Sequence, residues 1–247
     1  MSQVKGMNPA EEIERISLVR GSIYSFLSRA FKTEIDADFL NDIVAAGPTI
    51  KLLTESQERG DLIEGSKRLG QFIQKVAALS DDGKQDLMTE LRVEFTNLFI
   101  GVGDHAVHLV ESAYLGERNS KYEKPAQDVQ AAYQSVAFKK DAEFCEPEDH
   151  FVLEFEFMAR MCDWTAQALR NNDVENAIAY LSLQKEFLRD HIVRWVPRLC
   201  ERLKRKAKSD FYSSLAYLTN GFIQMDYEMP DHLTAILRSK LSEGAVH

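Results

Sequence analysis

A hydrophobic period of about 3.6 residues runs through almost every segment of this chain, and no stretch alternates apolar and polar residues long enough to demand a strand. Helices and strands turn their side chains with different periods, so the pattern restricts the fold class to all-α. It predicts about nine to eleven helices in a single bundle. The 247 residues, 45% of them hydrophobic, suffice for one continuous core over 1–247. An N-terminal half, 1–125, and a C-terminal half, 126–247, are joined by the longest stretch without a clear element, 100–125.

Helix signals punctuate the pattern. Asn8 stands as a cap, Pro9 at the first helical position and Glu11 and Glu12 in the first turn, where acids complement the helix dipole. Ile13, Ile16, Ile23, Leu27 and Phe31 form the buried side. A second helix from Ala37 is expected to stop at Gly47-Pro48, with glycine taking the left-handed cap conformation. A third covers 61–79, and Ser80-Asp81-Asp82 opens a fourth carrying Leu87, Leu91, Phe95, Leu98 and Phe99. Further helices are expected at 126–140, 147–170, 174–206 with a kink near Pro197, 209–225 and 231–242.

Charge narrows the function. With 39 acidic and 30 basic side chains the net charge is -9, which repels phosphate backbones and draws cationic partners, so nucleic acid is excluded as a first candidate. The basic run ERLKRKAK, 201–208, reads as a solvated helix C-terminus. The opening MSQVKGMNPAEEIERI lacks the basic and apolar regions of an export signal, and no apolar run approaches a membrane span, so a cytoplasmic protein without membrane insertion is expected. Cys145, Cys162 and Cys200 form no CxxC pair and read as reduced, small apolar residues.

The sharpest chemical feature is EPEDHFVLEFEFMARM, 146–161. Pro147 suits a first helical position, with Glu148 and Asp149 in the first turn and His150 one turn before Glu154, within reach of a hydrogen bond. Phe151, Phe155, Met158, Cys162, Thr165 and Leu169 then share one face, a core stripe. No metal or other cofactor is expected. Glu-x-x-His and HExxH spacings are absent, and His105, His108 and Glu111 would need both a helical loop and a fourth ligand. GVGDHA at 101–106 and GDLIEGSK at 60–67 imitate nucleotide-binding turns, but the first is not preceded by a strand and the second carries Asp61 and Glu64 where phosphates would sit.

Several segments together resemble one family, the TorD/DmsD/NarJ-type redox-enzyme maturation chaperones. They are EFTNLFIG (94–101), ESAYLGE (111–117), EPEDHFVLEFEFMARM and KEFLRDHIVRWVPRLCERL (185–203), with Phe187, His191, Trp195 and Pro197 in an FxxxHxxxWxP pattern. LFIGVG departs from the LFxGPG of many relatives. The resemblance implies a non-enzymatic, all-helical chaperone that binds the twin-arginine signal peptide or the apo form of a molybdenum-cofactor oxidoreductase catalytic subunit. Such chaperones assist cofactor insertion and delay export. It also implies a peptide site at Leu98, Phe99, Gly101, Tyr114, Pro147, Asp149 and His150. Carboxylates beside an apolar groove suit two guanidinium groups followed by an apolar segment, and Asp104, Glu111 and Glu117 add to those of EPEDH. The alternatives are a helical adaptor for a folded partner and a nucleotide- or metal-dependent enzyme. A monomer and a domain-swapped dimer are both consistent with the long connection.

Overall fold

The computed structural model describes residues 8–48, 60–101, 106–115 and 123–244. Among these residues it is all-α, with eleven α-helical segments, two wide π-helical turns and a single isolated β-bridge. The segments are α1 (Pro9–Lys32), α2 (Ala37–Ala45), α3 (Gly60–Ala77), α4 (Asp81–Phe95), the one-turn α5 (Ser112–Leu115), α6 (Glu123–Ser135), α7 (Phe151–Arg170), α8 (Val174–Phe187), α9 (Val193–Lys206), α10 (Asp210–Asp226) and α11 (Met229–Gly244). The π turns are Thr96–Ile100, which extends α4, and Leu188–Ile192, which joins α8 to α9.

Polar side chains set five of the helix starts, those at Asn8 and Ser80 as expected. Asn8, Asp36, Ser80, Asp173 and Ser209 each accept a hydrogen bond from a first-turn N–H of the helix that follows. Two stops differ from expectation. The end of α2 falls at Ala46, whose backbone is right-handed helical, and Gly47 does not take the left-handed conformation. The irregularity expected near Pro197 falls one turn earlier, in the π turn Leu188–Ile192, and α9 carries Pro197 inside it.

Helix α7 is the axis of the fold. Its first nine residues include none that is exposed, and beyond them only Arg160, Asp163, Gln167 and Arg170 are exposed, with Trp164 half-buried. A helix apolar nearly all round must be covered on every side. Helix α1 lies along it, α8 packs on a second side, and Tyr133 of α6 and Trp195 of α9 reach its rings Phe157 and Phe151. One continuous core runs from Tyr24 to Ile223, and a smaller cluster of Ile13, Leu169, Leu181, Leu233 and Leu237 ties the far ends of α1, α7, α8 and α11. Cys162 and Cys200 are buried in this core, whereas Cys145 is exposed, contrary to the expectation for all three.

A second helix pair, α3 and α10, packs backbone to backbone. A Cβ placed at Gly65 would collide with the backbone of Leu218, and one at Gly221 with the backbone of Leu62. Small residues at both crossings allow this approach, and GDLIEGSK is therefore helix α3 rather than a phosphate loop. Elsewhere Arg20 is sealed in the interior by Asp226, at 2.5 and 2.9 Å, with Tyr24 donating to the same carboxylate at 2.6 Å. This arrangement pairs the two buried charges, while Arg20 Nη1 keeps no hydrogen-bond partner. Replacing either glycine by alanine (Gly65→Ala, Gly221→Ala) is expected to lower stability by roughly 1–3 kcal/mol through forced separation of the pair. Urea denaturation checks this, and a loss below about 0.5 kcal/mol would mean that α3 and α10 part freely.

Candidate functional site

The segment between α4 and α7 builds the most elaborate local structure of the chain. The π turn Thr96–Ile100 widens the end of α4, and Leu98 O accepts from Val107 N at 2.7 Å, which closes the described ends of the loop. Residues 106–111 then run antiparallel to 149–151. Phe151 N donates to Leu109 O at 2.7 Å and Glu111 N to Asp149 O at 2.9 Å, with Val110 and His150 bridged between them. Arg202 and Arg198 of α9 clasp the backbone oxygens of Ala106 and Tyr114. Within the 100–125 stretch, where no clear element was expected, residues 106–115 form an arm held by these bonds.

Under the arm lies a set of buried polar groups drawn from three motifs. Asp149, 1% exposed, accepts from Ser112 N at 2.8 Å. Glu111, also 1% exposed, meets His191 Nδ1 at 2.9 Å, and Trp195 Nε1 donates to Glu154 at 3.0 Å. Burial, with Glu111 and Asp149 close by, holds the Glu154 carboxyl well above the usual carboxylate range. The same surroundings push the Tyr133 hydroxyl far above its ordinary value, burial being the larger cause.

The start of α7 departs from the sequence reading. Pro147, Glu148 and Asp149 form a turn outside the helix, and His150 is the N-cap, its Nδ1 accepting from Val152 N at 3.2 Å. The expected His150–Glu154 hydrogen bond is replaced by these two separate pairings, because the cap conformation turns the ring towards its own helix terminus. Glu148 leaves the first turn for a salt bridge with Lys140 at 3.0 Å, and its carbonyl accepts from Tyr133.

Two clefts flank the π turn. One, of about 290 Å³, has an aromatic floor of Phe31, Phe95, Phe99 and Phe144, with Leu109 and Val110 of the arm on one side and His150 among the walls. Lys32, His108, Glu146 and Ile100 stand around it, and Ile100 is 64% exposed. The other, of about 810 Å³, lies between α4 and the N-terminus of α10 and contains Leu98, Glu94, Lys206 and Lys208. Glu94 is committed there, accepting from the backbone of Lys208 and Ser209.

The structure thus brings Phe99 and His150 into one cleft and sends Leu98 to the other. Gly101 is exposed at the end of the π turn, with an extended ψ and negative φ. Tyr114 is half-buried, its ring 5.5 Å from Trp195 and its hydroxyl donating to His108 O. Pro147 is exposed, whereas Asp149 is internal. Asp104, His105 and Glu117 lie outside the described residues. Sequence reasoning missed Phe31, Phe144 and Ile100 as cleft residues, and it missed the grouping of Glu111 with Glu154, His191 and Trp195. For the second, the spacing of four between His191 and Trp195 was the available signal. No group of three or more His, Cys, Asp or Glu among the described residues is arranged to hold a metal ion, and no described helix is long and apolar enough to cross a membrane.

Residues 64–201 match the family described as nitrate reductase delta subunit, a span that contains the arm, α7 and the whole polar cluster. The chain belongs to this family. Curated relatives bear it out. The "Chaperone protein TorD" of Aliivibrio fischeri is 26% identical over 215 residues, covering 87% of this chain and 96% of that protein. The protein of the same name from a Vibrio cholerae strain is 26% identical over 227 residues, or 90% and 97% of the two chains. That of Photobacterium profundum is 29% identical over 143 residues, or 58% and 65%. The TorD/DmsD/NarJ-type chaperone family that the motifs resemble is therefore the family of this chain, and its curated members are named as chaperones rather than as enzymes.

His150 provides a test of this local architecture. Burial lowers its pKa from 6.5 to about 4, in keeping with a neutral ring whose Nδ1 accepts a backbone N–H. The unfolded ring binds its proton more readily, so this stability is present above about pH 6.5 and is lost as the pH falls towards about 4, by up to ~3 kcal/mol. His150→Asn keeps a cap acceptor without a titrating group. Its denaturation midpoint is expected to fall less than that of the wild type over this window, and parallel profiles would contradict a buried neutral histidine.

Proposed function

We propose that this protein is a chaperone for the catalytic subunit of a molybdenum-cofactor oxidoreductase, and that the aromatic cleft beside Ile100 takes an apolar, arginine-bearing segment of that client. The twin-arginine signal peptide has this composition. Occupying it would delay export while cofactor is inserted. The family membership and the naming of relatives as chaperones support a protein that holds another chain, and the cleft supplies somewhere to hold it.

One observation carries the reading: Ile100 stands 64% exposed between two depressions. A lone exposed isoleucine is ordinary. This one continues an aromatic floor, so covering it with an apolar segment would remove a connected surface from water. Carboxylates lie to either side, Glu146 at the cleft and Glu34 at the neighbouring depression, where Asp36 is already engaged by Arg29 and the α2 cap. Exposed carboxylates accept guanidinium forks bidentately, and the net charge of -9 draws a cationic segment from a distance. Phe99, Gly101 and Pro147 would lie at or near this surface. Asp149 acts from beneath it, holding Ser112, while Tyr114 braces the arm against α9.

Calorimetry with the signal peptide of the client subunit tests the proposal. Wild type is expected to bind it and to bind a twin-lysine version more weakly, since ammonium cannot reproduce the bidentate fork. Ile100→Asp is expected to weaken binding by about tenfold or more, with an unchanged thermal midpoint because the residue is exposed. Equal binding by the variant would remove the cleft from the site. Absence of binding to either peptide would transfer recognition to the mature body of the client.

A further inference from the structure

We propose that Glu154 and Glu111 hold a single proton between them, and that this proton fixes the 106–115 arm forming one side of the cleft. Glu154 is 0% and Glu111 1% exposed. One Glu154 oxygen accepts from Trp195 Nε1, and the other, Oε1, meets no N–H or O–H donor. Yet the Glu154 side chain lies within hydrogen-bonding reach of Glu111. Two carboxyl groups can bond to each other only if one keeps its proton, so Glu154 donates and Glu111 accepts.

The surroundings favour that state. The titratable groups facing Glu154 are Glu111 from the arm, Asp149 from the turn before α7 and Tyr133 from α6, all neutral or negative. His191, from the π turn, reaches the pair through Glu111, whose Oε2 lies 2.9 Å from its Nδ1. Removing the shared proton would leave two like charges in a dry interior. Glu154 sits on the central helix and is closed in on all sides. Glu111 sits on an arm tethered to residues 149 and 151 by main-chain bonds, so relief would come by outward movement of the arm. The folded state thus binds this proton more tightly than the unfolded chain, and the stability it confers is lost as pH rises through the folded titration. Because Leu109 and Val110 line the cleft, Glu154 and Glu111 become positioning residues for the segment it holds. Only that last step rests on the proposed function.

The decisive measurement is infrared spectroscopy of the full chain. Wild type near neutral pH is expected to show the carbonyl band of a protonated, buried carboxyl group. Glu154→Gln should lack it, because an amide N–H takes over donation to Glu111. As the pH is raised above neutral through the folded titration, the amides of Glu111 and Ser112 in the wild type are expected to gain about tenfold in exchange relative to those of α7, with no such gain in the variant. Absence of the band, or its persistence in Glu154→Gln, would overturn the shared proton. A constant exchange ratio would overturn its hold on the arm. Should the variant fail to fold, the wild-type band and exchange ratio decide alone. If these hold but no client peptide binds at any pH, the cleft reading fails and the shared proton stands.

Discussion

Helix α7 cannot exist in water by itself, and the rest of the structure follows from covering it. Phe151, Leu153, Phe155, Phe157, Met158 and Met161 are each 2% exposed or less. A fully buried side chain of this kind contributes roughly 1.5–3 kcal/mol, so three of them match a good part of the ~5–15 kcal/mol by which a domain is stable. The helices that cover α7 come from both ends of the chain. Helix α1 precedes it by more than a hundred residues, while α8 and α9 follow it directly. That arrangement leaves the middle of the chain, between α4 and α7, to pass over the start of the buried helix.

Passing over a buried helix start raises a second constraint. The first N–H groups of α7 have no partner within the helix, and water does not reach them. Leu109 O takes the N–H of Phe151 and His150 Nδ1 that of Val152. The arm is therefore part of the cap, and its own N–H groups at Glu111 and Ser112 are returned to Asp149. Acids that look from the sequence like surface charge are consumed in this exchange. What remains for a partner is the outer edge of the same construction, where Ile100, Phe99 and Glu146 meet solvent.

The fold was legible because its signals are local. Asn8 and Ser80 cap where they were expected to, and the stripe from Phe151 to Leu169 is buried throughout. The start of α7 was misread for a related reason. Pro147 followed by two acids is a sound first-turn pattern, but a pairing with the arm, some forty residues earlier in the chain, outweighs it and moves the helix start to Phe151. Likewise His150 and Glu154 satisfy the i,i+4 rule yet find partners that no local rule contains, namely the Val152 amide and Trp195. The exposure of Ile100 was equally invisible, since an isoleucine at the end of an apolar helix reads as core.

The contrast between the two ways of holding structure bears on what such a chaperone must do. The α1–α7 and α3–α10 pairs are held by close packing, in α3–α10 so close that glycine is required at two points, and motion there would break many contacts at once. The arm is held differently, by a few main-chain bonds, two arginine clasps and the polar cluster, with Val107 and Leu109 as its largest buried apolar side chains. Segments tied mainly by hydrogen bonds open at lower cost than segments tied by core burial. On the proposed function, a chaperone that admits a client segment and later releases it would gain from an edge built on such an arm, with the buried helix beneath keeping the two sides of the cleft in register.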